Sequence, residues 1–364
     1  MRNIKCIFCF VLLYFLSLTC LAQSCNNVVV NYKSGVKKDI PMDVIESVSF
    51  DNSASPEIED YFYSISFEGE PIKIMSTEDA DATEIDNQVM GYFNIVKVKE
   101  DLFYLYYIAV GKGEEIKNET YDLCMAYSTD GFHWTRGIPG IEGGNNIVMP
   151  QVIEQSVFMV PDEDYPFRLI GNEGKGNLKM WKSKDGISFT DKKDILTDRW
   201  HDTQNAGVVQ GDRIKVYTRL WNPTATNRQN GVVYIDFDGN QLTKIVKLAG
   251  DYLYNAAPLQ IDECYEILLP TFFNNKEGKD DSMHLKAFLV DDYFVKEIDC
   301  GLNSKLGQNV GWCLVSPYLI NIGGENYISF YTSSVTHDNY QNEEKVNVYY
   351  LMKVNINKEY MNLQ

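Results

Sequence analysis

The sequence predicts an all-β fold: a five-bladed β-propeller preceded by a short N-terminal β segment. Three observations carry the prediction. First, one signature recurs. It reads Ser128-Thr129-Asp130-Gly131-Phe132-His133-Trp134-Thr135, then Ser183-Lys184-Asp185-Gly186-Ile187-Ser188-Phe189-Thr190, then a shortened Asp238-Gly239-Asn240-Gln241-Leu242-Thr243. Its aspartates are 55 and 53 residues apart, and a fixed period of that size marks an array of like units. Second, the segments between signatures read as short strands. None sustains a helical period, which excludes a TIM barrel or a Rossmann layout. Third, the chain holds 24 Tyr, 18 Phe and 5 Trp, an aromatic content suited to packed β-sheets.

The elements follow in order. Residues 1–22 read as a secretion signal, with Arg2 and Lys5 as the charged region, Ile7 to Leu18 as the apolar region, and Cys20-Leu21-Ala22 before a cleavage at Gln23. That apolar stretch is too short for a membrane span, and no later one reaches the roughly 20 residues a span needs. The expectation is an exported protein, periplasmic or extracellular. Cys25, after Leu21-Ala22-Gln23-Ser24, is a candidate for lipid attachment, which would make it an outer-membrane lipoprotein.

Residues 23–75 form a short β segment and linker. Val28-Val29-Val30 starts a strand, Lys33-Ser34-Gly35 turns it, and Ile45 to Phe50 alternates with period two. Asn52 to Glu59 is a polar linker. Tyr61 to Phe67 and Ile72 to Ile74 read as strands about Glu68-Gly69-Glu70. Either this segment is a small stalk, or Tyr63 to Ile74 supplies a strand to the last blade and closes the ring. Residues 76–364 are assigned to the propeller. Its five blades are expected at about 84–140, 141–196, 200–249, 252–301 and 310–355, with Asp291-Asp292 as a degenerate fourth signature.

The Asp-Gly of each signature is a turn device. Asp accepts hydrogen bonds from nearby backbone N–H groups, Gly takes a positive φ, and Trp134 or Phe189 packs between blades. These aspartates belong at the outer edge, away from chemistry.

The net charge is −18, or −20 once Arg2 and Lys5 leave with the signal. Such an acidic surface repels nucleic acid and anionic membranes, so neither is an expected partner. Cys6, Cys9 and Cys20 lie in the signal. The other five, Cys25, Cys124, Cys264, Cys300 and Cys313, are widely spaced, with no CxxC pair and no Cys/His cluster. No zinc site and no cofactor are therefore expected.

In a propeller blade the innermost strand starts at the mouth of a central funnel, and the second strand ends there. The residues at those places are Glu84, Asp86, Gln151, Glu173, Asp202, Asn205, Arg219, Trp221, Tyr254, Asn255, Trp312, His337 and Asp338. Carboxylates, an Arg and aromatics in one ring suit glycoside hydrolysis. One carboxyl protonates the leaving oxygen, a second acts as base or nucleophile, and flat apolar faces hold the sugar. Trp200-His201-Asp202-Thr203-Gln204-Asn205, followed by Val216-Tyr217-Thr218-Arg219, is the strongest local element. Arg219 beside Asp202 would keep that carboxylate ionised, or bind an acidic sugar.

A resemblance now has its residues. Tyr127 to Trp134 leads into Gly143-Gly144-Asn145-Asn146-Ile147-Val148. Then come Pro161-Asp162-Glu163-Asp164-Tyr165-Pro166-Phe167-Arg168 and the second signature. His201-Asp202-Thr203-Gln204-Asn205 with Tyr217-Thr218-Arg219 follows, then Leu253-Tyr254-Asn255 with Leu269-Pro270. Over about residues 84–340 this series resembles exported glycosidase-like five-bladed propellers, distantly related to glycoside hydrolase families 43 and 32. The resemblance implies three carboxylates around the funnel, two Asp and an acid Glu. Asp86 and Asp202 match the two Asp positions. The acid has no match, because blade four opens Leu253-Tyr254-Asn255-Ala256, and Glu173 takes its place on geometry alone. The Asn-Asp-Pro type motif of family 32 is absent, which disfavours fructan hydrolysis.

The reading is an exported glycoside hydrolase acting on an oligosaccharide or polysaccharide. Asp86 is its base or nucleophile, Glu173 its acid, and Asp202 the tuner of that acid. Asn205, Arg219, Trp221, Tyr254, Asn255 and His337 line the subsites. The alternative is a glycan-binding propeller that has lost its acid.

Overall fold

The structure is a computed structural model. It describes residues 27–31, 37–41, 61–111, 121–141, 145–173, 177–197, 206–220, 229–247, 258–260, 266–268, 271–273, 283–285, 287–290, 295–298, 315–333 and 347–360. The chain divides into two units, Met1–Ser53 and Ala54–Gln364. In the first, β1 (Asn27–Asn31) pairs antiparallel with β2 (Lys37–Pro41), Val29 facing Asp39. The expected turn Lys33-Ser34-Gly35 and the expected strand Ile45 to Phe50 lie outside the described residues.

The second unit is all-β, in a propeller arrangement. It opens with β3 (Tyr61–Ser76). The first sheet holds β4 (Val89–Lys99), β5 (Leu102–Val110), β6 (Asp122–Ser128), β7 (Thr135–Arg136) and β8 (Ile147–Met149). The second holds β9 (Val152–Met159), β10 (Phe167–Glu173), β11 (Leu178–Ser183) and β12 (Phe189–Leu196). The third holds β13 (Ala206–Gln210), β14 (Arg213–Leu220), β15 (Gln229–Asp236) and β16 (Val246–Lys247). The next stretch carries β17 (Pro258–Gln260), β18 (Glu266–Leu268), β19 (Thr271–Phe273), β20 (Met283–Leu285), β21 (Ala287–Val290) and β22 (Val295–Ile298). Here the sheet is β17-β18-β21-β22, and β19 and β20 pair apart from it. The strand expected over His284–Val290 is thus split between two sheets. The last sheet runs β23 (Val315–Ile322), β24 (Glu325–Ser333), β25 (Asn347–Tyr360), then β3.

β3 pairs with β25 from Val348–Ser76 to Tyr360–Tyr61. Of the two readings of Tyr61 to Ile74, this is the second: an N-terminal strand completes the C-terminal sheet. The expectation was five alike, four-stranded blades, and four sheets have that form. The first departs from it. β7 pairs with Ala126 and Tyr127 at one end of β6, while β8 pairs with Leu123 and Cys124 at the other. The outer strand there is broken into two pieces, which makes that sheet five-stranded.

The first strands touch in a closed circuit, β4 to β9 to β13 to β17 to β23 and back to β4. Asn94 cements one step. Its Nδ2 donates to the Val157 carbonyl at 2.6 Å and its Oδ1 accepts from the Val157 N–H at 3.1 Å. Apolar cores fill the wedges between successive sheets. Phe93, Phe103 and Tyr107 pack with Ile320, Tyr349 and Leu351 between the first and last. Tyr104, Tyr106 and Met125 pack with Val157, Phe167 and Trp181 between first and second, and Ile170 and Met180 meet Val216 and Val233 between second and third. β5 therefore buries side chains on both faces, which is why it is apolar almost throughout.

The signature is the device that seats one blade on the previous one. Ser128 Oγ accepts from the Gly131 N–H at 2.8 Å, and Asp130 Oδ1 accepts from Phe132 N and His133 N, each at 2.8 Å. Ser183, Gly186, Asp185, Ile187 and Ser188 repeat this at 2.9, 2.8 and 2.8 Å. The glycines have φ of +80° at Gly131 and +74° at Gly186. A Cβ on Gly131 would meet Ile322 of the last sheet at 2.7 Å, and one on Gly186 would meet the Tyr106 hydroxyl at 2.6 Å. Tyr106 in turn donates to the Gly186 carbonyl at 2.7 Å. Trp134 packs on the core between the first and last sheets and Phe189 on that between the first and second. The degenerate signature at Asp291-Asp292 lies outside the described residues.

Candidate functional site

The run from β3 to β4 brings two carboxylates to different fates. Asp86 turns into the protein. Its Oδ1 accepts from the Thr83 N–H at 2.7 Å and the Thr83 hydroxyl at 3.0 Å, closing a local turn. Its Oδ2 accepts from the Tyr107 hydroxyl at 2.6 Å, Arg136 Nε at 2.8 Å and Asn146 Nδ2 at 3.4 Å. Asp86 is fully buried. Arg136 is held from several sides, donating also to the Ser76 carbonyl at 2.6 Å and to Asp81, with Asp79 at 3.8 Å. Burial acts against the charge of Arg136, but Asp86, the Tyr107 oxygen, Asp81 and Asp79 outweigh it and hold the guanidinium charged. Burial pushes the Tyr107 hydroxyl well up, with Cys124 and Asp86 adding to the effect. Tyr107 therefore donates to Asp86 and accepts from Asn146 Nδ2 at 2.6 Å, while Asn146 Oδ1 is buried without a partner among the described residues.

Glu84 stays at the surface, beside a cavity of about 580 Å³. Glu84, Asn87 and Asp122 give that cavity its polar wall, and Ile85, Val110 and Ile147 its apolar wall. It lies where β5 ends and β6 begins, against the run entering β4. Gly111 sets the width of this corner. A Cβ there would stand 2.0 Å from the Glu84 carbonyl oxygen, so only glycine lets the two backbones lie so close. Asp122 Oδ1 accepts from the Gln151 N–H at 3.1 Å, and Gln151 holds a left-handed φ of +58°. Burial raises the Asp122 pKa and the Gln151 N–H only partly opposes it. The cavity thus holds one carboxyl biased toward its acid form, with Glu84 as a second carboxyl on the same wall. Asp86 is absent from that wall although Ile85 and Asn87 are part of it.

The other expected residues fall apart from this corner. Glu173 ends β10, is 36% exposed, and is engaged by Lys192 Nζ at 3.0 and 3.2 Å. Among the described residues it shares no partner with Asp86. Arg219 stands near the end of β14, opposite Asn230 in the strand register. Asp202, Asn205, Trp221, Tyr254, Asn255 and His337 lie outside the described residues. Asp122 was missed by the sequence reading, which collected first-strand starts and second-strand ends, whereas Asp122 starts a third strand at the same rim. Glu84 and Gln151 were in the collected set. Cys124 is buried and free, and burial pushes its thiol well up, with Asp86 and Asp122 adding. Among the described residues, no three His, Cys, Asp or Glu converge to hold a metal ion.

No family model matches the chain, and no curated protein does. Solved structures do. An α-L-arabinofuranosidase from Podospora anserina, in complex with cellotriose, is similar with a TM-score of 0.53 at 10% identity, over 80% of this chain and 97% of that one. An N-acetylgalactosamine deacetylase from F. plautii, bound to blood group B trisaccharide, gives 0.53 at 13% identity over 80% and 95%. A family 32 β-fructofuranosidase of Bombyx mori gives 0.51 at 12% over 74% and 62%. The likeness is one of fold. The fold is one that solved glycoside hydrolases have, and the second comparison shows that a deacetylase has it too.

Proposed function

We propose that the protein is an exported glycoside hydrolase on a five-bladed propeller, with the sheet containing β7 and β8 counted as one blade whose outer strand is broken. The observation that carries the reading is the placing of Glu84 and Asp122 on one cavity at the rim of the first sheet. Cleavage of a glycosidic bond needs a carboxyl that gives a proton to the leaving oxygen and a carboxylate that activates water or attacks. Asp122, biased toward its acid form by burial, takes the donor role, and Glu84 the second. Apolar Ile85, Val110 and Ile147 offer a face for the C–H side of a sugar ring.

Asp86 acts in this reading from behind the wall. It fixes Tyr107, Asn146 and Arg136, and so the loop that carries Ile147. Glu173 is engaged by Lys192, so Asp122 is preferred as acid. Asp202, Asn205, Arg219, Trp221, Tyr254, Asn255 and His337 are proposed for the remainder of the funnel. Lipid attachment at Cys25 belongs to the same proposal.

The experiment is a panel of aryl glycosides and oligosaccharides, scored together for released reducing sugar and for binding. It is run on the wild type and on Glu84→Gln, Asp122→Asn and Asp202→Asn. Release lost in Asp122→Asn with binding kept is expected. Release unaffected by both rim variants would remove this cavity from the chemistry. Binding without release by the wild type would establish the second reading, a glycan-binding propeller. The absence of a Glu in Leu253-Tyr254-Asn255-Ala256, where related enzymes carry their acid, favours that reading.

A further inference from the structure

We infer that the cavity at the rim of the first sheet selects its sugar by charge, taking an amine-bearing ring in preference to a neutral one and rejecting a uronate. The inference rests on the carbohydrate reading above and names the substrate class for that site. Its ground is the charge inventory of the walls. Glu84 and Asp122 are the charged side chains lining the cavity, Asn87 is neutral, and the remaining lining is apolar or backbone. Among the described residues, no Lys, Arg or His lines it.

The cation just behind the wall gives no relief. The guanidinium of Arg136 is 3% exposed and spends its hydrogen bonds on Asp86, Asp81 and the Ser76 carbonyl, with Asp79 close by. One positive charge therefore faces three carboxylates, and the cluster as a whole is negative. Tyr107 and Cys124, both buried, keep their protons. The full chain carries a net charge of −18.

A ring carboxylate placed in such a corner meets the Glu84 carboxylate, and the Asp122 carboxylate whenever that group is ionised, in a partly dehydrated space, where Coulomb repulsion is stronger than in water. A ring ammonium meets the opposite field and can donate to both Glu84 and Asp122, forming charge-assisted hydrogen bonds. The apolar wall is indifferent to this difference, so charge decides among rings of equal shape.

The test is calorimetric titration of the intact mature chain with methyl glycosides of glucosamine, glucose and glucuronate, and of their galacto counterparts, at pH 7 and low salt. An open-chain aminopolyol serves as a fourth probe. The expected order is amine, neutral, uronate, with at least tenfold between first and last and less at high salt. Glu84→Gln and Asp122→Asn should each narrow that span. Glu84 is exposed, so its variant has no fold to lose, and circular dichroism checks both. A uronate bound as tightly as the amine, or an order unmoved by either variant, overturns the charge selection. Binding of the aminopolyol with no sugar of any charge bound would leave the charge selection standing and overturn the carbohydrate reading. No binding of any probe overturns both.

Discussion

Arg136 Nε and Asp86 Oδ2 meet at 2.8 Å with the side chains 3% and 0% exposed, fifty residues apart in sequence. The pair sits where the ring closes. The carbonyl of Ser76, the last residue of β3, accepts from the same guanidinium, and β3 belongs to the last sheet while Arg136 belongs to the first. One side chain thus ties the chain's return from the last sheet to the outer edge of the first. Breaking a buried ion pair from one side leaves the other charge without its partner, a loss of about 3–5 kcal/mol. Asp86→Asn should lower the unfolding free energy by about 3 kcal/mol. Pairing it with Arg136→Gln should return part of that loss, because the orphaned charge goes too. Urea unfolding of the four proteins in the cycle measures this, and an Asp86→Asn within 0.5 kcal/mol of wild type would refute the latch.

Gly111→Ala probes the corner rather than the latch. The added Cβ would fall 2.0 Å from the Glu84 carbonyl oxygen, so backbone must move. The expected loss is about 1–3 kcal/mol of stability, as for other overpacked sites. Sugar binding should fall further than stability implies, since the shift displaces Glu84 from its cavity. Binding isotherms taken well below the variant's melting point separate the two effects. Wild-type affinity in a folded Gly111→Ala would show that the corner is not the binding site.

The signature turns predict an acid-sensitive contribution to stability. Partial burial works against ionisation of Asp130, but the His133 N–H and ring, the Phe132 N–H and the Ser128 hydroxyl outweigh it and hold its carboxyl well below the usual range. At Asp185 burial is likewise outweighed, by the N–H groups of Ser188 and Ile187 and by the Ser183 hydroxyl. A folded-state pKa below the unfolded value of about 3.9 means stability that is present above that pH and lost as the folded carboxyl protonates. Asp130→Ala and Asp185→Ala should each cost about 1 kcal/mol at pH 6, since both turns are part-exposed and solvent screens them. The gap to wild type should close as the pH drops below about 4. Urea midpoints at pH 6 and pH 3 test it, and a gap that persists unchanged at pH 3 would mean the turns act by shape and not by charge.

These turns also show why the fold was legible. Ser128, Asp130 and Gly131 satisfy one another within four residues, so the sequence displays the whole device, and Ser183, Asp185 and Gly186 display it again. The broken outer strand was not legible, because β7 is two residues long and finds its place only by pairing with Ala126 and Tyr127. The site was legible in part. Glu84 and Asp86 were expected at the rim, and of the two Glu84 is on the cavity. Asp86 turned inward, since its fate depends on Arg136 and Tyr107, which arrive from β7 and β5. Asp122 escaped notice because its environment is made by Gln151 and by the end of β5, and nothing next to it in sequence announces either.

Asp122→Asn should separate stability from activity. Burial raises the folded pKa of Asp122, so ionising it costs more in the folded protein than in the unfolded chain. The sign follows: wild type loses stability as the pH rises from the ordinary carboxyl range through the raised value, and carries the full loss above it. Asparagine has no charge to bury and keeps an oxygen for the Gln151 N–H, so the variant should be more stable than wild type at pH 7 and no more stable at pH 3. Activity should move the other way. Removing a general acid costs about 10²–10⁴ in rate. The loss should shrink for aryl glycosides whose leaving group needs no proton, and the alkaline limb of the pH–rate profile should disappear. A variant that is both more stable at pH 7 and impaired only toward poor leaving groups fixes Asp122 as the proton donor. An equal loss toward every leaving group would mean that Asp122 binds the sugar and donates nothing.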